Sequence, residues 1–196
     1  MKVWQLEGSL KAFETLGYTD FDRDYKWNDL LIQTIPLADR WGFVEICTID
    51  EGEESDCPHF WDGPIPIFSE KAVHVLSDFL KGKAEALPLH HCEKSFFGIH
   101  VINAINAIDY NQAIVRQLDT GLRVGFEKYE FIQEKIVDEH IFRIFLDDRV
   151  QWKVFVSDEF KEMVESNGLV GFQFKEVWDS EKGKEWEGLI KKKLLI

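Results

Sequence analysis

The sequence predicts an α+β protein with a mixed, mainly antiparallel sheet, because strand-like and helix-like stretches are interspersed and one arrangement of them occurs twice. The first copy is an apolar run Ile65-Pro66-Ile67-Phe68, a Ser69-Glu70 step, an amphipathic stretch ending near Lys81-Gly82, and an apolar return at Ala86-Leu87-Pro88-Leu89. The second is Val154-Phe155-Val156, Ser157-Asp158, an amphipathic stretch ending near Asn167-Gly168, and the return Gly171-Phe172-Gln173-Phe174. Several strand-like runs between the copies follow one another without a helix, which disfavours a doubly wound parallel sheet.

Taken in order, residues 1 to about 38 mix aromatics with acids, show no clean period, and read as irregular structure with one short strand. Trp41 to Ile49 is aromatic and β-branched, the composition of a strand. In the first repeated unit the Ser69 hydroxyl can accept from the free amides of a first helical turn, and Glu70 suits the positive helix end. Ala72, Val73, Leu76, Phe79 and Leu80 then fall on one stripe at helical spacing. Phe96–Val101, Leu122–Phe126 and Ile141–Leu146 read as strands, and 111–118 as a short helix. In the second unit Ser157 or Asp158 caps, Phe160, Met163 and Val164 form the stripe, and Asn167-Gly168 closes the helix.

A chain of 196 residues with 45% hydrophobic side chains, 16 Phe and 7 Trp buries a large core without metal or disulfide support. Three cysteines, an odd count, argue against a disulfide framework and for a reducing compartment. The first residues lack a signal-peptide pattern, and no apolar run is long enough to cross a membrane, so the expectation is a cytoplasmic protein. The net charge of -13 is uneven: residues 1–62 hold 14 acidic side chains against 5 basic, and the remainder holds 22 against 18. The expected organisation is an acidic N-terminal segment, 1–62, packed on a core, 63–180, followed by a basic C-terminal tail, 181–196. Nucleic acid, itself a dense polyanion, is an unsuitable partner for such a chain, whereas a basic protein is attracted to it.

No arrangement of residues announces a reaction centre. Cys57-Pro58-His59 and His90-His91-Cys92 offer zinc-type ligands, but about 30 residues separate them and no Cys-x-x-Cys pair is present. Cys47, Cys57 and Cys92 lack any cysteine-hydrolase signature that would pair one of them with His100 as base. Gly121-Leu122-Arg123-Val124-Gly125 lacks the third glycine of a dinucleotide loop. Asn103, Asn106 and Asp109 recur every third position in an apolar segment, a pattern better suited to turns and backbone hydrogen bonds than to catalysis. No catalytic residue, cofactor or metal is expected.

The stretch from Phe97 to Asp109, His140-Ile141-Phe142-Arg143-Ile144, Val154 to Lys161 and Gly168-Leu169-Val170-Gly171-Phe172-Gln173-Phe174 occur in the order found in one family of bacterial immunity proteins from polymorphic toxin systems, first catalogued as a domain of unknown function. The resemblance covers roughly residues 63 to 178. It implies a non-enzymatic cytoplasmic protein that binds and neutralises a cognate toxin. The competing readings are a small enzyme using Asp109 and a nearby histidine, and a general protein-interaction module. If the toxin is a basic, nuclease-like protein, the expected contact face is Asp50, Glu51, Glu53, Glu54 and Asp56, with Trp61 as aromatic anchor.

Overall fold

The computed structural model describes residues 1–182. The expected basic tail at 181–196 therefore lies outside the described residues except for Glu181 and Lys182. Fourteen strands and five α-helices are present among them, and an α+β fold is what the sequence predicted.

The chain opens with β1 (Lys2–Gly8), β2 (Thr15–Tyr18), α1 (Phe21–Asp24), α2 (Asn28–Leu31), β3 (Ile46–Asp50) and β4 (His59–Phe60). The first repeated unit supplies β5 (Ile67–Ser69), α3 (Glu70–Val75), α4 (Ser77–Leu80) and β6 (Ala84–His90). Next come β7 (Ser95–Val101), β8 (Ala104–Ile105), β9 (Ile114–Gln117), β10 (Arg123–Lys128), β11 (Ile141–Leu146) and β12 (Arg149–Val150). The second unit is β13 (Val154–Ser157), α5 (Asp158–Ser166) and β14 (Phe172–Asp179).

The two units share a topology as well as a pattern. β5 and β6 both pair antiparallel with β7, so they run parallel to each other with one strand between them. β13 and β14 flank β1 in the same way. Each unit is thus a strand–helix–strand crossover split by an antiparallel strand, taken from the next segment in one case and from the chain's beginning in the other. The largest sheet has the order β12-β11-β13-β1-β14, with β8 added parallel to β11.

Both helices are capped as their sequences dictate. Ser69 Oγ accepts from the Ala72 amide at 3.1 Å and Ser157 Oγ from the Phe160 amide at 3.2 Å. Gly168, at φ 60°, takes the left-handed position that ends α5, where a side chain would be strained. The stripes Ala72, Leu76, Leu80 and Phe160, Val164 meet in one buried cluster with Leu6, Ile99, Val101, Val154 and Val156. Met163 lies outside it and is exposed. Ser157→Ala is expected to cost about 1 kcal/mol, read as a lower urea midpoint; an unchanged midpoint would show that the cap is idle.

Four expectations need correction. Residues 2–8 are an interior strand of the largest sheet, between β13 and β14, because Val3 and Leu6 bury into its two faces, one residue set into each cluster. Residues 111–118 form no helix: Ile114-Val115 are β-branched and pair with β10 across a turn in which the Leu118 amide donates to the Leu122 carbonyl at 2.9 Å. The first helix is interrupted at Leu76, whose φ of -94° and ψ of 6° flatten one turn, although its amide still donates to the Ala72 carbonyl at 2.9 Å. The strand expected from Trp41 begins only at Ile46, since Val44 and Trp41 are engaged by the β6 region: the His90 amide donates to Val44 and the Trp41 indole to Pro88, both at 2.9 Å.

Residues 31–38 form a strap tied to the core by three ionisable side chains. Arg143, 2% exposed, donates from Nη1 to the Gln33 carbonyl at 2.8 Å and the Leu31 carbonyl at 3.3 Å, and from Nη2 to Ile32. Glu85 accepts from the amides of Leu37 at 2.6 Å and Ala38 at 3.2 Å. His100 Nε2 lies 3.0 Å from the Ile35 carbonyl, which only accepts, so Nε2 holds the proton and Nδ1 is left a buried acceptor with no partner among the described residues.

Burial, and to a lesser extent Arg143, lowers the His100 pKa, against the opposing pull of the Ile35 carbonyl and Glu85. The neutral ring is therefore the one that folds. Its contribution is complete above the unfolded-state value near ~6.5 and is lost as the pH falls below it toward the folded value. The expected result is that stability falls more between about pH 7 and about pH 5.5 in the natural protein than in His100→Gln. Parallel pH profiles of the two proteins would refute it.

Candidate functional site

The acidic segment is held in place by backbone rather than left loose. It joins β3 to β4 and lies against the β1–β2 connection, where the Glu53 amide donates to the Ala12 carbonyl at 2.7 Å and the Glu14 amide to the Glu53 carbonyl at 3.0 Å. Gly52 permits that approach, since a Cβ there would stand 2.4 Å from the Phe13 carbonyl carbon. β2 is the middle strand of a small sheet ordered β3-β2-β4, with Asp50 and His59 both opposite Thr15. Two residues further along, Trp61 donates its amide to the Leu16 carbonyl at 2.9 Å. By ladder spacings, Asp50 and Trp61 are roughly 12 Å apart.

Asp50, Glu51, Glu53 and Glu54 are exposed, as is Trp61 at 68%. Trp61 meets His59 edge-on, with ring centroids 6.2 Å apart. Burial lowers the His59 pKa, opposed by Glu7. Exposed Ile49 precedes Asp50, and its side chain lies over Gly17, beside the register position of Trp61. In the sequence Ile49 stands inside an ordinary strand run, and its two charged followers, Asp50 and Glu51, are the local signal that a strand end carries it outward.

Asp56 differs from the other acids. It is 9% exposed, and its carboxylate accepts from Ser69 Oγ at 2.6 Å and from the Val170 amide at 3.0 Å, with Lys71 Nζ at 3.6 Å. This side chain joins the cap of α3 to the turn after α5. Behind the segment, buried Glu14 receives Lys94 Nζ at 3.0 Å on both oxygens, and Lys94 also lies 3.5 Å from Glu54. The outward charges are therefore Asp50, Glu51, Glu53 and Glu54.

The other sequence candidates disperse. Cys57 is fully buried, and burial pushes its thiol pKa up. His90 stacks on Phe43 at 4.2 Å, and His91 Nε2 lies 3.3 Å from Thr48 Oγ1. Among the described residues no three His, Cys, Asp or Glu side chains come together in a way that could hold a metal ion. Asp109 closes a turn by accepting from the Asn111 amide at 2.9 Å and Gln112 Nε2 at 3.1 Å. Asn103 donates to Glu139 at 2.7 Å and to the Ile141 carbonyl at 3.0 Å. Asp109 thus holds a local turn, and the Asn103 side chain bridges Glu139 and the Ile141 carbonyl. No helix among the described residues is long and apolar enough to cross a membrane.

The fold is a split crossover that carries an outward acidic loop and an exposed tryptophan. Residues 90–179 match the model of a family described as Immunity protein family (Imm11). The resemblance read from the motifs is borne out across that span, which runs from the end of β6 through β14. The acidic loop, Trp61 and the interior strand β1 lie outside it. No curated protein matches the chain.

Proposed function

We propose that this protein is an immunity protein that neutralises a cognate toxin by covering its surface, without transforming a substrate. The observation that carries the reading is the family match over 90–179, a span whose polar clusters serve turns, caps and backbone carbonyls. Asp50, Glu51, Glu53 and Glu54 engage a basic partner, and Trp61 with Ile49 supplies the apolar anchor beside them. Asp56 shapes the face from behind.

Co-expression with the toxin, scored as rescue of growth, tests the function; failure to rescue any toxin encoded beside it would remove the reading. The face has its own test. Converting Asp50, Glu51, Glu53 and Glu54 to lysine is expected to slow association about 10- to 100-fold at low salt, with the difference shrinking as salt screens it. An unchanged association rate would remove the acidic loop from the interface.

A further inference from the structure

Three cations stand near one end of the large sheet of a chain whose net charge is -13. Lys175 stands opposite Gln5 on one side of β1 and Phe155 stands opposite Gln5 on the other, so all three share a face. Lys153 immediately precedes β13, two residues before Phe155, and strand alternation carried back one position sets it on that same face. By ladder spacings the two lysine Cα atoms are roughly 12 Å apart. Arg116, on β9, completes the group: the Lys153 pKa is lowered first by burial and then by Lys175 and Arg116, against Glu7. Among the described residues none of these three cations has a side-chain hydrogen bond or ion pair, although the protein offers 36 carboxylates.

Lys153 lines a cleft of about 390 Å³ together with Glu7, Leu10, His59, Trp152 and Gln173. Its rim is apolar and uncovered: Leu10 is 59% exposed and Trp152 56%. Unpaired cations next to an exposed indole and leucine define a surface of opposite sign to the acidic loop, with room for side chains.

We propose that Arg116, Lys153 and Lys175, with Trp152 and Leu10, form a docking surface for an acidic, partly apolar polypeptide segment. Cations spread over this distance suit carboxylates repeated along an extended chain better than one compact anion. A nucleic-acid strand would bring a continuous run of phosphates against a body of net charge -13, and three cations do not offset that repulsion. A peptide carries few charges and adds an apolar side chain for the Trp152 rim. The proposal stands independently of the toxin reading, since its test uses no toxin.

The test is fluorescence anisotropy at low salt with a labelled peptide of alternating glutamate and leucine. The pair Lys153→Glu and Lys175→Glu is expected to weaken binding at least about tenfold. Lys26→Glu with Lys81→Glu makes the same change in net charge on exposed residues elsewhere and is expected to leave binding nearly unaltered. Should half-buried Lys153 not tolerate the change, Arg116→Glu with Lys175→Glu, both on exposed residues, gives the same expected loss. Equal weakening by the Lys26/Lys81 pair, absence of peptide binding by the natural protein, or tighter binding of a single-stranded oligonucleotide of matched charge would each overturn the proposal.

Discussion

Arg143→Met is expected to lower the unfolding free energy by about 3–5 kcal/mol, more than any other single change considered. The guanidinium is sealed from solvent and serves carbonyls only: Gln151 through Nε at 2.9 Å, Gln33, Leu31 and Val101 through Nη1, and Ile32 through Nη2. Burial lowers its pKa to about 10, so it stays charged at neutral pH. Methionine fills similar volume but donates nothing, which leaves five carbonyls without this donor, those of Leu31 and Val101 in buried bonds. The strap would then detach to rehydrate them, exposing Leu31 and Leu37, now 2% and 0% exposed. Arg143→Lys should fall between, since one ammonium carries three donors without the planar fork. Urea denaturation measures the loss, and hydrogen exchange should localise it to 31–38. A cost under about 1 kcal/mol for the methionine variant would show that the carbonyls find other partners.

Arg143 also shows what the sequence hid. In Ile141-Phe142-Arg143-Ile144-Phe145-Leu146 a charged residue interrupts an apolar strand, and alternation alone would place it outward. It points inward because the strap, more than 100 residues away in the chain, brings its carbonyls to the guanidinium. Nothing local to 141–146 encodes that meeting.

β1 was illegible for a related reason. A strand buried on both faces between two partners shows neither clean alternation nor flanking turn signals, and Lys2-Val3-Trp4-Gln5-Leu6 mixes polar and apolar positions. Its polar residues are satisfied by tertiary partners: the Trp4 indole and the Lys2 amide both donate to Asp158, at 2.9 and 2.8 Å. The repeated units, by contrast, were legible because each holds its signals within about 25 residues: an apolar strand, a serine cap, a stripe at helical spacing, and an apolar return. The same pattern could not reveal that each unit is split by a third strand. β7 follows its unit directly, whereas β1 arrives from the opposite end of the chain. The acidic loop was visible as composition, but composition could not separate Asp56 from its four neighbours.

That separation gives the second large expectation. Asp56→Ala should cost about 2–4 kcal/mol, whereas Glu54→Ala should leave stability near its starting value, because an exposed carboxylate 3.5 Å from one lysine contributes little. The Asp56 backbone already bridges the two units, its carbonyl accepting from the Ser69 amide and its amide donating to the Val170 carbonyl, both at 3.0 Å. The carboxylate repeats the bridge with charge-assisted bonds to Ser69 Oγ and the Val170 amide. Removing it leaves the Ser69 hydroxyl without its acceptor just where that hydroxyl caps α3, so the cap and the inter-unit joint weaken together. Asp56→Asn keeps one acceptor oxygen and should recover part of the loss. If Asp56→Ala instead kept full stability and slowed toxin association as much as lysine at Glu54, the carboxylate would belong to the contact face, and the joint between the units would have to rest on the backbone pairs and the shared apolar cluster alone.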